Sequence, residues 1–193
     1  MKVPMEYSHF GYQYLDKVPG NKIHSGVDLN FGAPYEDLGK PVYAIDNGLV
    51  VYSGTTNGWG NMIVIYHDGY WSRYAHLQDI ITPDGFVGVG QQIATCGGTG
   101  GNVSWVPHLH FDVIKKKLPT WTSYTKDWSI EKVKEYYADP MPFIKDVHER
   151  EELLNAISRL QKISARAGRK KDQETQKLAI EAIDFIKLHL IEG

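Results

Sequence analysis

Residues 40–77, KPVYAIDNGLVVYSGTTNGWGNMIVIYHDGYWSRYAHL, carry the pattern that settles the fold class. Short runs rich in Val, Ile and Tyr alternate with Asn-Gly and Asp-Gly pairs, which is the signature of antiparallel hairpins rather than helices. The reading is a strand over Lys40–Ile45, a turn at Asp46-Asn47-Gly48 and a strand over Leu49–Tyr52. A glycine-bounded loop over Gly54–Gly60 follows. Next comes a strand over Asn61–Tyr66, ended by the Asp68-Gly69 turn, with Trp71–Leu77 as its hairpin partner. Working outward, Val87–Ala94 reads as a further strand, Gly97–Pro107 as a loop with four glycines, and His108–Ile114 as a strand. Many short antiparallel strands joined by tight turns predict an all-β core, a sandwich or partly open barrel. One sheet face is then free to carry a groove.

The composition changes near Pro140. Beyond it the chain is rich in Glu, Lys, Gln, Ala and Leu, which favours helix. Leu153, Ile157, Leu160 and Ile163 recur at helical spacing, as do Leu178, Ala182, Phe185 and His189, so a C-terminal helical hairpin is expected, with Gly168 and the basic run Arg169–Lys171 separating its arms. Nine acidic and nine basic residues from Asp146 to Gly193 leave that hairpin neutral. Its amphipathic pattern suits packing on the body, self-association or docking. The organisation expected is an N-terminal extension over 1–20, a main domain over 21–144 and a helical extension over 145–193.

With 193 residues, 42% hydrophobic and 23% charged, and a net charge of -2, the chain has the makeup of an ordinary globular protein. Nothing in that balance announces a nucleic-acid surface. The single cysteine, Cys96, excludes an intrachain disulfide framework. The first 15 residues, MKVPMEYSHFGYQYL, lack an apolar signal core, and no run is long enough to span a bilayer. The expectation is a soluble chain that reaches targets outside the cytoplasm by lysis, on a virion, or from a precursor with a leader. Glycines 54, 58 and 60 are not followed by GK[ST], so no phosphate-binding loop is read there.

Five residues concentrate the chemistry: His24 and Asp28 in HSGVD, His76 in YAHL, and His108 and His110 in PHLHF. On a strand, the period of two puts His108 and His110 on one face, with Leu109 and Phe111 on the other, in apolar packing. His24 and Asp28 have helical spacing, but Gly26 and the β context favour an extended or looped segment. If these groups converge, two imidazoles and a carboxylate make a ligand set that zinc accepts, with a position left for water. Two further histidines then remain for proton transfer and for stabilising a developing oxyanion. Hydrolysis of an amide is the economical use of such a site.

The blocks HSGVDL at 24–29, PVYAIDNGLVVYSG at 41–54, GWGNMIVIYHDGYWSRYAHL at 58–77, VGVGQQIATCGGTG at 87–100 and PHLHFDV at 107–113 together resemble the signatures of the lysostaphin-type, LytM-like zinc metalloendopeptidases. The resemblance runs over residues 20–143, into the DPMPFI run at 139–144. It implies a compact antiparallel β domain with an open groove, one zinc ion (Zn2+) and cleavage of peptide bonds in bacterial peptidoglycan. Matched motif to motif, it assigns His24, Asp28 and His110 as zinc ligands and His76 and His108 as the catalytic pair. Groove-wall residues expected on this basis are Asn21, Trp59, Tyr74 and Trp105. A phage or prophage lysis enzyme is the source this reading favours, with a bacterial wall-remodelling enzyme second. The rival class is a non-catalytic β domain that binds peptidoglycan or a partner.

Three departures bear on specificity. The stretch from Asn30 to Gly39 is longer than the usual run and is expected to reshape one groove wall. Cys96 takes the place of a more usual small or apolar residue and reads as buried filler. Gly101–Val106 replaces a commoner Ser/Thr-rich approach to the second histidine pair. His67 reads as a turn residue, and His9, His148 and His189 as solvent or packing residues.

Overall fold

The computed structural model describes residues 2–101, 105–123, 125–170 and 172–191, without the side chains of 145–154, 167, 170 and 185–191. Two compact units divide at Ile144 and Lys145. In the first, the strands are β1 (His9–Phe10), β2 (Lys17–Val18), β3 (Lys22–Ile23), β4 (Val27–Asn30), β5 (Pro41–Tyr43), β6 (Gly48–Thr56), β7 (Gly60–Tyr66), β8 (Trp71–Ile80), β9 (Phe86–Val87), β10 (Gln92–Cys96) and β11 (Leu109–Ile114). They are followed by the helix α1 (Ile130–Tyr136) and β12 (Tyr137–Ala138). The antiparallel sheet runs β1-β4-β11-β8-β7-β6-β9, with β10 joining β8 to β5 and β12 added to β11. The core is thus mostly antiparallel β, as the hairpin pattern predicts.

Two strand assignments change. Thr55 and Thr56 continue the ladder of β6 against Asn61 and Gly60, so the expected Gly54–Gly60 loop contracts to residues 57–59. The expected Val87–Ala94 strand is broken by a turn in which Gln91 N–H donates to the Gly88 carbonyl. Gly90, at φ +75°, supplies the backbone that this turn needs. β9 then pairs with β6, while β10 pairs with β5 and β8.

The alternation of side chains on β4, β11, β8 and β7 divides the sheet into two faces. Val27, Leu29, Leu109, Phe111, Val113, Tyr74, Ile63 and Ile65 point into the main core, where they join Val42, Ala44, Ile93, Cys96, Met5 and Ile144. The opposite face carries Asp28, His110, Ala75 and Arg73. His110 lies opposite Asp28 on one neighbouring strand and Ala75 on the other. Gly26 lets β4 approach β11 this closely, because a Cβ there would stand 2.2 Å from the Phe111 carbonyl oxygen. Below this face α1, with Ser129 accepting from Lys132 N–H at its N-cap, packs Val133 against Ile114, Leu118 and Tyr137.

The helices α2 (Met141–Lys170) and α3 (Gln173–Ile191) form the expected C-terminal pair. Gly168 is not the separator: α2 runs through it to Lys170, and Asp172 starts α3 by accepting from Thr175 N–H at 3.1 Å. The buried stripe of α3 is also one residue out of phase with the expected one. Leu178 is exposed and Ala179 and Ile183 are buried. A Cβ at Gly168 would sit 3.0 Å from the Gln176 amide, so Gln176 faces α2 and positions three and seven later share its face. Ile163 is likewise exposed, while Ile157 is buried. His148, Leu153, Phe185 and His189 lie outside the described side chains.

Candidate metal centre and its groove

His24 stands just before β4, where its backbone is tied on both sides: His24 N–H donates to Asp16 and Leu15 N–H donates to the His24 carbonyl. Its Nδ1 lies 3.1 Å from the Gln13 carbonyl oxygen. A carbonyl can only accept, so the proton is on Nδ1 and the Nε2 lone pair is free. His110 has the opposite arrangement. Its Nε2 is 3.1 Å from Asp112 Oδ2, which leaves Nδ1 as the free donor atom. His24 Nε2, His110 Nδ1 and Asp28 Oδ1 then form a triangle with edges of 2.9, 3.1 and 3.1 Å. Among the described residues this is the one His/Cys/Asp/Glu group whose ligand atoms converge in this way.

Three electron-pair donors, all on buried side chains, suit a tetrahedral cation such as zinc, with three protein ligands and one open position. Burial opposes the charged form of Asp28, but the neighbouring His110 and His24 imidazoles outweigh it and hold the carboxyl well below its usual range. Burial also opposes the charged form of His110, yet Asp112 and Asp28 raise its pKa.

His76 and His108 stand beside this triangle. Their rings are 4.8 Å apart, and His108 Nε2 is 3.9 Å from Asp28 Oδ1. Each is oriented through Nδ1, His76 by the Thr99 carbonyl at 2.9 Å and His108 by the Val106 carbonyl at 2.9 Å. Both therefore present a bare Nε2. Burial, followed by the neighbouring His108 and His110, pushes the His76 pKa well below the histidine range.

Strict alternation along β8 would aim His76 into the core. Instead the β7–β8 register shifts between Asn61↔Leu77 and Ile63↔Tyr74, and His76 takes φ +63°. The extra residue forms a bulge, with His76 N–H donating to the Trp59 carbonyl, and it turns the imidazole to the groove side.

A groove of about 610 Å³ opens over these five residues. Trp59 and Trp105 line it, together with Tyr12, Val18, Pro19 and Val106. Trp59 Nε1 donates to the Thr122 carbonyl at 3.3 Å, and Trp105 meets His76 edge-on at 4.6 Å.

Two expected wall residues are not there. Tyr74 is fully buried on the core face of β8, where its hydroxyl accepts from Ile45 N–H at 3.0 Å. It is one position away from Arg73 and Ala75, which lie on the sheet face that carries His110. Asn21 is exposed outside the groove lining, with Nδ2 donating to Asp127 at 2.6 Å. Residues 30–39 do not line the groove either. Asp37 folds that segment on itself by accepting from Phe31 N–H at 2.6 Å.

Cys96 is buried, its thiol pushed up to about 12 by desolvation and Asp37. His67 is also buried rather than a simple turn residue. Of the segment 101–106, residues 102–104 lie outside the described residues. Unforeseen contributors are Tyr12, Thr99, Ser25, Arg73 and Asp112. The period of two in HLHFD already places Asp112 on the face of His110, whereas Arg73 emerges only from the strand register.

A profile described as peptidase family M23 matches residues 22–121. The DD-carboxypeptidase/endopeptidase Mpg of Neisseria meningitidis serogroup B is 34% identical over 106 residues, 54% of this chain and 23% of that protein. Lysostaphin of Staphylococcus staphylolyticus is 35% identical over 127 residues, 64% of this chain and 22% of that protein. The chain thus spans about a quarter of the length of these curated relatives. The solved catalytic domain of the antimicrobial peptidase lysostaphin from Staphylococcus simulans superposes with a TM-score of 0.54 at 32% identity, covering 71% of this chain and 92% of that one.

Proposed function

This chain belongs to peptidase family M23, and from that premise we propose that it is a zinc-dependent endopeptidase that hydrolyses peptide bonds in the cross-links or stem peptides of bacterial peptidoglycan. The observation that carries the proposal is the triangle of His24 Nε2, Asp28 Oδ1 and His110 Nδ1, with the bare Nε2 atoms of His76 and His108 beside it.

A zinc ion held by those three atoms would supply Lewis acidity to the scissile carbonyl and make water a competent nucleophile at neutral pH. The other steps belong to the protein. Trp59 and Trp105 flank the bond to be cut and exclude water around it. His108 Nε2 takes the proton of the attacking water, since it lies on the side of Asp28. His76, kept neutral by burial, is the second proton acceptor, and the pair delivers the proton to the amine nitrogen as the C–N bond breaks. Hydrolysis leaves one new carboxylate and one new amine, with no covalent enzyme intermediate.

The test is release of new amino groups from purified peptidoglycans of two cross-link chemistries, with zinc, with chelator, and with a His108→Ala variant. Release that requires metal and is lost in the variant is expected. Binding to the wall without cleavage at any zinc level would make the chain a peptidoglycan-binding module and overturn the enzyme.

A further inference from the structure

Beneath the triangle lies a second layer of side chains. Asp112 and Arg73 are both fully buried and face each other in register on β11 and β8. Asp112 Oδ2 accepts from Arg73 Nε at 3.1 Å and Nη2 at 2.5 Å, from Ser25 Oγ at 3.0 Å and from His110 Nε2 at 3.1 Å. The guanidinium is fixed in turn. Its Nη1 donates to the Trp121 carbonyl at 3.0 Å, its Nη2 to the Tyr137 hydroxyl at 3.3 Å, and the group stands 3.8 Å from the centre of the Trp59 ring.

A wholly desolvated ion pair contributes little to stability, and apolar residues of similar volume often replace one at no cost. Stability therefore gives no reason for this pair at the centre of the domain. The contact with His110 does.

On the reading of the site proposed above, we infer that Asp112, held in place by Arg73, is the positioning residue for His110. Accepting the Nε2 proton fixes both the ring plane and the tautomer, so the Nδ1 lone pair is aimed at His24 and Asp28 before any metal arrives. A carboxylate behind the imidazole also makes it a stronger donor. The sheet supplies the geometry. Asp112 is two residues from His110 on the same face of β11, and Arg73 is its cross-strand neighbour, two residues from Ala75, which lies opposite His110. Trp59, stacked over Arg73 and also lining the groove, ties the groove wall to the same layer.

The experiment is competition of the full chain with a chromogenic chelator for zinc, alongside unfolding of the metal-free protein. Asp112→Asn is expected to weaken zinc binding about 10- to 100-fold, the usual effect of losing an outer-shell partner. Because Asp112→Asn alone strands the Arg73 charge, the double variant R73M/D112L is measured beside it. Its metal-free unfolding midpoint returns towards that of the wild type, while its zinc affinity stays about 10- to 100-fold weaker. Wild-type zinc affinity in either variant overturns the inference and leaves the pair purely structural.

A second measurement needs no variant to fold. In the metal-free wild-type chain, nitrogen-15 NMR of the histidine rings is expected to find the His110 proton on Nε2. A ring whose single proton sits on Nδ1, with Nε2 bare, overturns the assignment. If the wild-type chain binds no zinc, the proposed function fails. Tight zinc binding by the wild type and by both variants fails only the positioning role.

Discussion

His76 shows how a single residue's backbone decides a site. Its φ of +63° lies in the left-handed region, where asparagine is tolerated and β-branched residues are not. His76→Asn is therefore expected to keep the fold, with an unfolding midpoint close to wild type, and to lower peptidoglycan cleavage about 100-fold or more through loss of the imidazole. His76→Val should lose activity and also about 1–3 kcal/mol of stability, read by urea denaturation.

His67 carries a different prediction, away from the groove. Its Nδ1 meets the Asn47 carbonyl at 2.8 Å and its Nε2 meets Ser72 Oγ at 2.7 Å. Burial lowers its pKa from the ordinary 6.5, with the hydrogen bond to Asn47 opposing. The unfolded chain then binds more protons than the folded one. Stability from this residue is complete above pH 6.5 and is lost as the pH falls below it towards the folded pKa. His67→Gln, compared with wild type in chelator between pH 7 and 5, should remove that part of the acid sensitivity.

At the scale of elements, the site depends on how closely three antiparallel strands approach. β4, β11 and β8 place Asp28, His110 and Ala75 in one row, and the absence of a side chain at Gly26 permits the first contact. Gly26→Ala places a methyl group against the Phe111 carbonyl and must push β4 away from β11. The expected cost is about 1–3 kcal/mol, and zinc affinity should fall as well, because Asp28 moves with its strand. Wild-type stability and affinity in this variant would mean that the strand pair can relax without disturbing the triangle. The bulge on β8 is the matching device on the other side, since it brings His76 to the face that alternation denies it.

For the molecule as a whole, the proposed metal site would couple ion binding to folding. The three proposed ligands come from positions 24, 28 and 110, so an ion held by them would bridge distant parts of the chain and stabilise only the folded state. Zinc at about 100 times its dissociation constant should add about 2.7 kcal/mol, seen as a rise in unfolding midpoint that chelator reverses. The unit ending at Ile144 holds the whole triangle, the groove and its own core. A chain of residues 1–144 is expected to unfold cooperatively and to bind zinc with the affinity of the full chain, measured by calorimetry. A large loss of affinity would assign residues 145–193 a part in the site.

The motifs alone made the antiparallel core legible, because turn pairs and period-two alternation are local properties. They also singled out His24, Asp28, His76, His108 and His110, whose residue types and spacings suit one chemistry. Local pattern failed where a neighbour intervened. Motif matching points Tyr74 and Asn21 to the groove, but strand parity sends Tyr74 into the core and Asp127 holds Asn21 outside the lining. The phase of α3 is ambiguous for a similar reason, since a 3.6-residue repeat fits either of two adjacent stripes until a partner helix selects one. The convergence of His24 with His110, 86 positions apart, and the pairing of Arg73 with Asp112 belong to the tertiary structure alone. Sequence determines which groups are available and which way each faces along its own strand. Register between strands, set by the packing of the opposite, apolar face, decides which of them meet.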